Sequence, residues 1–104
     1  MTDTIAVAAP QKAAYLLETD VVAAQVPALR ACFKELLAGG VKQLNLNLVK
    51  VEMVDSAGIG LIISTHNSLR KLGGELELTG VRPELGDLFR SMRMHQHFKI
   101  SGAE

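Results

Sequence analysis

The residues with the clearest chemical potential are Asp55 and Ser56, which precede Ala57, Gly58 and a strongly apolar run. A serine ahead of an apolar helix commonly caps it by accepting a hydrogen bond from a backbone N–H. A phosphate on the same hydroxyl would be compatible with the helix, because at a helix N-terminus it faces free N–H donors and the positive end of the helix dipole. It would add about −1.5 to −2 charges and switch partner binding by repulsion and desolvation.

Both residues therefore have a structural and a functional interpretation, and the residues alone favour the structural one. As a cap, Ser56 would contribute about 0.5 to 2 kcal/mol to the free energy of unfolding. Asp55 is also typical of a helix start, although it could orient the hydroxyl or contact a kinase. Met53 and Ile59 flank the motif and favour either an apolar contact surface around the switch or the core.

Enzymatic and metal-binding alternatives have little support in the sequence. Gly58 and Gly60 lack the third glycine of a nucleotide loop, because Ile63 occupies that position, so close packing between helix and sheet is favoured. Ser56 is not set in the GxSxG elbow of hydrolases. The candidate metal ligands are few, namely His66, His95, His97 and the single cysteine Cys32. We therefore expect a binding module without enzymatic activity, metal or cofactor.

Hydrophobic patterning predicts the strands that position these residues. The predicted strands lie at residues 13–18, 43–48 and 75–79, with one more short strand or docking segment after Met94. Residues 43–48 alternate most strictly, so that Leu44, Leu46 and Leu48 share one face. Residues 4–7 suit a weak edge strand or a loose terminus.

Helical patterning predicts helices at residues 22–37, for about 16 residues from the 55–58 motif, and after Arg82-Pro83-Glu84. In the first helix we expect Asp20 as the cap and Val26, Leu29 and Phe33 as buried residues. The third is expected to bury a stripe of Leu85, Leu88, Phe89 and Met92. Paired glycines at 39–40 and 73–74 end the first two helices.

The alternation of strands and helices is typical of parallel strands joined by right-handed crossovers. We predict a single α/β domain with a mixed, mostly parallel sheet of roughly four to five strands and helical crossovers. Residues 13–104 form this domain, and residues 1–12 are a short strand or loose terminus. Partners of such sheets meet the loops at the carboxyl ends of the strands, which here hold Asp55-Ser56 and Val81-Arg82.

Composition narrows the class of partner. The chain has 104 residues, of which 48% are hydrophobic and 21% charged, so a folded domain is expected. Basic and acidic residues are balanced at 11 each, which does not favour nucleic acid or an anionic membrane. Residues 1–11 show no leader pattern, and no apolar stretch has the length of a membrane span. We expect a cytoplasmic protein without direct membrane insertion.

Residues 46–63, LNLVKVEMVDSAGIGLII, resemble the signature of the STAS family, named for sulfate transporters and anti-sigma factor antagonists. Its core is an aspartate, a serine, a small residue, a glycine, an apolar residue and a glycine, matched by residues 55–60. The resemblance is to the anti-sigma factor antagonist type and covers roughly residues 16–100. Ala57 stands where the family often has Ser or Thr, and Asn47 matches its aspartate or asparagine near the end of the preceding strand.

The resemblance implies that Ser56 is phosphorylated by a partner that is both an anti-sigma factor and a serine kinase of the histidine-kinase-like ATPase group. A PP2C-type phosphatase would reverse the modification. We expect the partner-binding surface to include Met53, Asp55, Ser56, Ala57, Gly58, Ile59 and Arg82. The function implied is that of a bacterial anti-sigma factor antagonist that regulates transcription through protein–protein interaction. The alternative is a STAS scaffold or accessory subunit of a signalling assembly or transporter, without a phosphorylation switch.

Overall fold

Five strands form a single sheet in the computed structural model, which describes residues 5–9 and 11–102. They are β1 (Ile5–Ala9), β2 (Lys12–Leu16), β3 (Gln43–Asn47), β4 (Glu75–Val81) and β5 (Lys99–Gly102), ordered in the sheet as in the chain. β1 pairs antiparallel with β2, and the other neighbours pair parallel. This confirms the mixed, mostly parallel α/β sheet. Residues 1–4, 10 and 103–104 of the predicted ranges lie outside the described residues.

The described residues form three α-helices, α1 (Val26–Ala38), α2 (Ser56–Lys71) and α3 (Pro83–Ser91), and a 3₁₀ turn (Met94–Gln96) before β5. From β2 to β5, each strand lies beside the one before it, so right-handed crossovers place successive helices on the same face of the sheet. The buried residues of the helices accordingly share one cluster with the inward residues of the strands. Over residues 5–9 and 11–102, no helix has the length and apolarity of a membrane span.

The core is built on the inward face of β3 and β4. Leu44, Leu46 and Leu48 are fully buried, as are Leu76 and Leu78 in the neighbouring strand. The strict alternation of the sequence therefore predicted the correct face, because successive side chains of a strand point to opposite sides of the sheet. The outward residues of β3 are polar and half-buried or exposed.

Helix α1 covers this core with Leu29 and Phe33, which are buried as predicted, whereas Val26 is only half-buried. Phe33 is 3% exposed and meets Tyr15 of β2 edge to face, with ring centroids 5.5 Å apart. This arrangement suits the quadrupoles of two aromatic rings and links α1 to the edge of the parallel sheet.

The predicted beginning of α1 is wrong by one turn. We expected a helix from Val22 with Asp20 as its cap, but α1 begins at Val26, with Gln25 at the N-cap and a proline in the first turn. The reason is that Val21 pairs with Val54 as an isolated parallel bridge, which keeps the backbone at Val21 extended. Residues 23–25 then form a turn before the helix.

The C-terminal part also departs from prediction. Leu85 and Phe89 are buried and Leu88 is half-buried, but Met92 is 48% exposed because α3 ends at Ser91. Arg93 then adopts a positive φ of 59°, and the turn that follows carries Met94 into the core. The strand expected after Met94 is β5.

Truncating Phe33 tests the packing of α1. Phe33→Ala should lower the free energy of unfolding by about 3 to 5 kcal/mol, because a fully buried aromatic side chain is removed and leaves a cavity. Lys34→Ala, at the exposed neighbouring position, is the control and should change it by less than about 0.5 kcal/mol. Chemical denaturation measures both, and a loss below about 1 kcal/mol for Phe33→Ala would show that this helix face is misassigned.

Candidate functional site

The Asp55-Ser56 pair lies beyond the carboxyl edge of the sheet, where β3 leads into α2. Ser56 is the first residue of α2 and is exposed, and Asp55 precedes it at the N-cap position. This confirms the predicted placement of Ser56 at a helix N-terminus beyond the 43–48 strand. A hydroxyl at this position is accessible to another protein.

The cap of α2 is Asp55, so the prediction that Ser56 caps the helix is wrong. Asp55 has an extended backbone, with φ −95° and ψ −174°, and its Oδ1 accepts a hydrogen bond from the backbone N–H of Gly58 at 2.9 Å. Its Oδ2 accepts from the backbone N–H of Ala23 at 3.0 Å, on the loop between β2 and α1. Ser56 comes one residue too late for the capping position.

These bonds also set the charge of the site. The N–H of Gly58, followed by the N–H of Ala23, holds the pKa of the Asp55 carboxyl below its ordinary value of 3.8, because both donors favour the ionised form. Asp55 is therefore a carboxylate at neutral pH. Both of its oxygens are engaged by backbone donors of this chain.

The loop that carries the site is tied to the loop after β2 through Val21. The N–H of Val21 donates to the carbonyl of Met53 at 3.0 Å, and the N–H of Asp55 donates to the carbonyl of Val21 at 3.3 Å. Val21 and Val54 form the parallel bridge between these two bonds. The residues immediately before Ser56 are therefore fixed against a second loop.

Two acidic residues reinforce these hydrogen bonds, namely Glu18 and Asp20, which was predicted instead to cap the first helix. Oδ1 of Asp20 accepts from the backbone N–H groups of Glu52 and Met53, at 2.9 and 3.2 Å. Glu18 forms an exposed ion pair with Lys50 at 3.0 Å. Their partners lie some thirty residues away in sequence, so no local pattern indicates these contacts.

The two glycines of the motif behave differently. A Cβ on Gly58 would lie 2.0 Å from the carbonyl oxygen of Val21, so only glycine fits there. The predicted close packing is thus correct for Gly58, although the neighbour is the β2–α1 loop. For Gly60 the prediction is wrong, because a Cβ there would meet nothing within 4 Å among the described residues outside the adjoining backbone of its own helix. Glycine inside a helix costs about 0.5 to 1 kcal/mol relative to alanine, and no packing contact offsets this cost at Gly60.

The remaining members of the predicted partner-binding surface divide between surface and core. Met53 is 58% exposed and Ala57 is half-buried, so both reach the surface around Ser56. Ile59 is only 6% exposed, because it lies on the side of α2 that joins the hydrophobic core. Its assignment to a contact surface is therefore wrong, and the buried Gly58 likewise offers no side chain to a partner.

Arg82, which directly follows β4 at the same edge of the sheet, contacts the loop that leads to the site. Its Nε donates to the carbonyl of Val51 at 3.1 Å, and its Nη2 lies 3.7 Å from the exposed carboxylate of Glu52. Arg82 therefore supports the β3–α2 loop and keeps a partly exposed guanidinium beside it.

His66 packs against two neighbouring rings. The ring of His66 lies 5.1 Å from Phe98 and 5.9 Å from His97, measured between centroids. Burial, followed by His97 and Arg70, lowers the pKa of His66, so it is neutral at pH 7. Across residues 5–9 and 11–102, no three His, Cys, Asp or Glu side chains converge as metal ligands would.

Comparisons with known proteins place this geometry in context. The chain matches the family model described as STAS domain over residues 6–104. It is 33% identical to the anti-sigma-B factor antagonist of Staphylococcus aureus over 64 residues, which are 62% of this chain and 59% of that relative.

Solved structures share the fold. The anti-sigma factor antagonist SpoIIAA in its unphosphorylated form matches with a TM-score of 0.76 at 18% identity, over 96% of this chain and 87% of SpoIIAA. The Bacillus cell fate determinant SpoIIAA in its phosphorylated form matches with a TM-score of 0.74 at 18% identity, over 92% and 87%.

Removing the capping carboxylate tests the assignment of the cap. Asp55→Ala should lower the free energy of unfolding at neutral pH, because Gly58 and Ala23 lose their acceptor. Since the pKa of Asp55 is lowered on folding, its stabilisation is present above the ordinary value of 3.8 and is lost as pH falls through the lower folded-state value. The stability gap between wild type and Asp55→Ala should therefore shrink in acid.

Asp55→Asn is the matched control, because its amide keeps one acceptor oxygen and does not titrate. Its stability should lie between those of wild type and Asp55→Ala, and its advantage over Asp55→Ala should persist in acid. Denaturant titrations followed by far-UV circular dichroism, repeated from neutral pH to about pH 2, measure these differences. If the difference in the free energy of unfolding between wild type and Asp55→Ala keeps its full size throughout that range, the capping role is contradicted.

Proposed function

The chain belongs to the STAS domain family, and from that premise we propose that it is an anti-sigma factor antagonist whose partner binding is switched by reversible phosphorylation of Ser56. The observation that carries this proposal is the position of Ser56. Its hydroxyl is exposed at the first residue of α2, on a helix that Asp55 already caps. The hydroxyl is thus free to be modified without loss of the cap.

Phosphorylation would change the charge of the surface and leave the fold in place. The phosphate would lie at the positive end of the α2 dipole, which tolerates negative charge. It would also stand next to the Asp55 carboxylate, whose pKa is already low, so the pair would carry about −2.5 to −3 charges. A partner surface that fits the neutral hydroxyl would then be repelled and would have to desolvate a dianion.

The partner proposed is an anti-sigma factor that is itself a serine kinase of the histidine-kinase-like ATPase group, with a PP2C-type phosphatase to reverse the modification in the cytoplasm. The name of the Staphylococcus aureus relative supports the first part of this proposal. The similar match to SpoIIAA in both of its forms supports a switch without refolding. The exposed hydroxyl favours the switch over a pure scaffold or transporter subunit, which would not need it.

Substitutions at Ser56 separate the switch from the fold. Ser56→Ala should change the free energy of unfolding by less than about 0.5 kcal/mol, because Ser56 is exposed and is not the cap. It should abolish phosphate incorporation and keep partner binding. Ser56→Glu should fold equally well but bind the kinase about tenfold or more weakly, since it places a negative charge in the contact.

Ser68→Glu is the charge-matched control, because Ser68 is an exposed serine on the same helix, more than three turns from Ser56. It should bind the kinase as tightly as wild type. Titration calorimetry of each variant against the purified cognate kinase, with phosphate located by mass spectrometry, measures these effects. Phosphate on Thr65 or Ser68, or wild-type affinity in Ser56→Glu, would refute the proposed switch.

A further inference from the structure

An exposed face of α2 continues from Ser56 along the helix. Ser56, Gly60 and Ile63 follow one another at spacings of four and three residues, which places them on the same side of a helix. All three are exposed, and Met53, three residues before Ser56, is exposed as well. We call these four residues the α2 stripe.

The stripe is unusually apolar for an exposed surface. Over the described part of the chain, the large hydrophobic residues that are exposed are Val49, Met53, Ile63, Leu72 and Met92. Met53 is 58% exposed and Ile63 is 38% exposed, and in the chain they precede and follow Ser56 and Gly60. The stripe contains no charged side chain, so it resembles the uncharged centre of a protein–protein contact.

Nothing among the described residues requires a glycine at position 60. Its φ is not in the left-handed region, and a Cβ built on it would meet nothing within 4 Å among the described residues outside the adjoining backbone of α2. Alanine would therefore fit and would favour the helix, since glycine is the weaker helix former. A glycine that the fold does not require leaves the backbone of α2 bare, one turn after Ser56.

We propose that Gly60 is a specificity-determining residue, which lets the partner kinase place its own main chain directly against α2 between Met53 and Ile63. This inference rests on the proposed function, because a kinase must reach Ser56 and therefore covers the surface next to it. Met53 and Ile63 supply the apolar contacts on either side. The absence of a side chain at Gly60 sets how closely the two proteins approach.

Gly60→Ala separates binding from stability, because the two should change in opposite directions. The midpoint of thermal unfolding should rise by about 2 to 8 °C, since alanine replaces glycine in an open helical position. Affinity for the purified cognate kinase should fall about tenfold or more, because the added methyl group overpacks a close contact. Ile63→Gln should also weaken binding, with little change in the unfolding midpoint.

Ser68→Ala is the matched control, since it also raises helix propensity at an exposed position of α2 but lies off the stripe. It should stabilise the chain and bind the kinase as wild type does. If Gly60→Ala lowers the unfolding midpoint, the glycine has an internal role and the inference is wrong. If Ser56→Glu weakens binding while Gly60→Ala binds like wild type, the switch stands and only this inference fails. A kinase that does not bind the wild-type chain would overturn both.

Discussion

The two backbone hydrogen bonds that Val21 forms with Met53 and Asp55 are the constraint on which the rest of the site depends. The N–H and carbonyl of Val21 bond to residues on either side of Val54, which holds Val21 extended and delays the beginning of α1 to Val26. The same carbonyl faces Gly58 so closely that no side chain fits there. A single short segment of backbone thus determines where one helix begins, how the next is seated, and where the residues before Ser56 lie.

The hydrogen bonds between these two loops follow from the order of the strands. β2 and β3 are parallel neighbours, so the loops that follow them leave the sheet at the same edge and can bond to one another. Asp20 uses this proximity to hold the backbone of Glu52 and Met53, and Asp55 uses it in the opposite direction to hold Ala23. Each aspartate therefore accepts hydrogen bonds from backbone N–H groups of the loop that carries the other aspartate.

Local pattern was enough to predict some of this structure and not the rest. The alternation of Leu44, Leu46 and Leu48 identified the buried face of β3, and the apolar run after Asp55 placed Ser56 at a helix N-terminus. The delayed beginning of α1 depends on a partner at Val54, more than thirty residues away. The position of Ile59 was ambiguous for a different reason. An apolar residue beside a surface motif can belong to a partner-contact surface or to the hydrophobic core, and the rotation of α2 about its axis determines which of the two it joins.

Because Asp55 and not Ser56 caps α2, the switch proposed at Ser56 would leave the stability of the fold unchanged. Asp55 satisfies the N–H of Gly58 and ties α2 to the neighbouring loop, so neither task requires the Ser56 hydroxyl. If Ser56 were the cap, a phosphate would alter the bond that begins the helix, and stability and signalling would change together. With the capping carboxylate one residue earlier, a phosphate on Ser56 would change only the exposed surface at the beginning of α2.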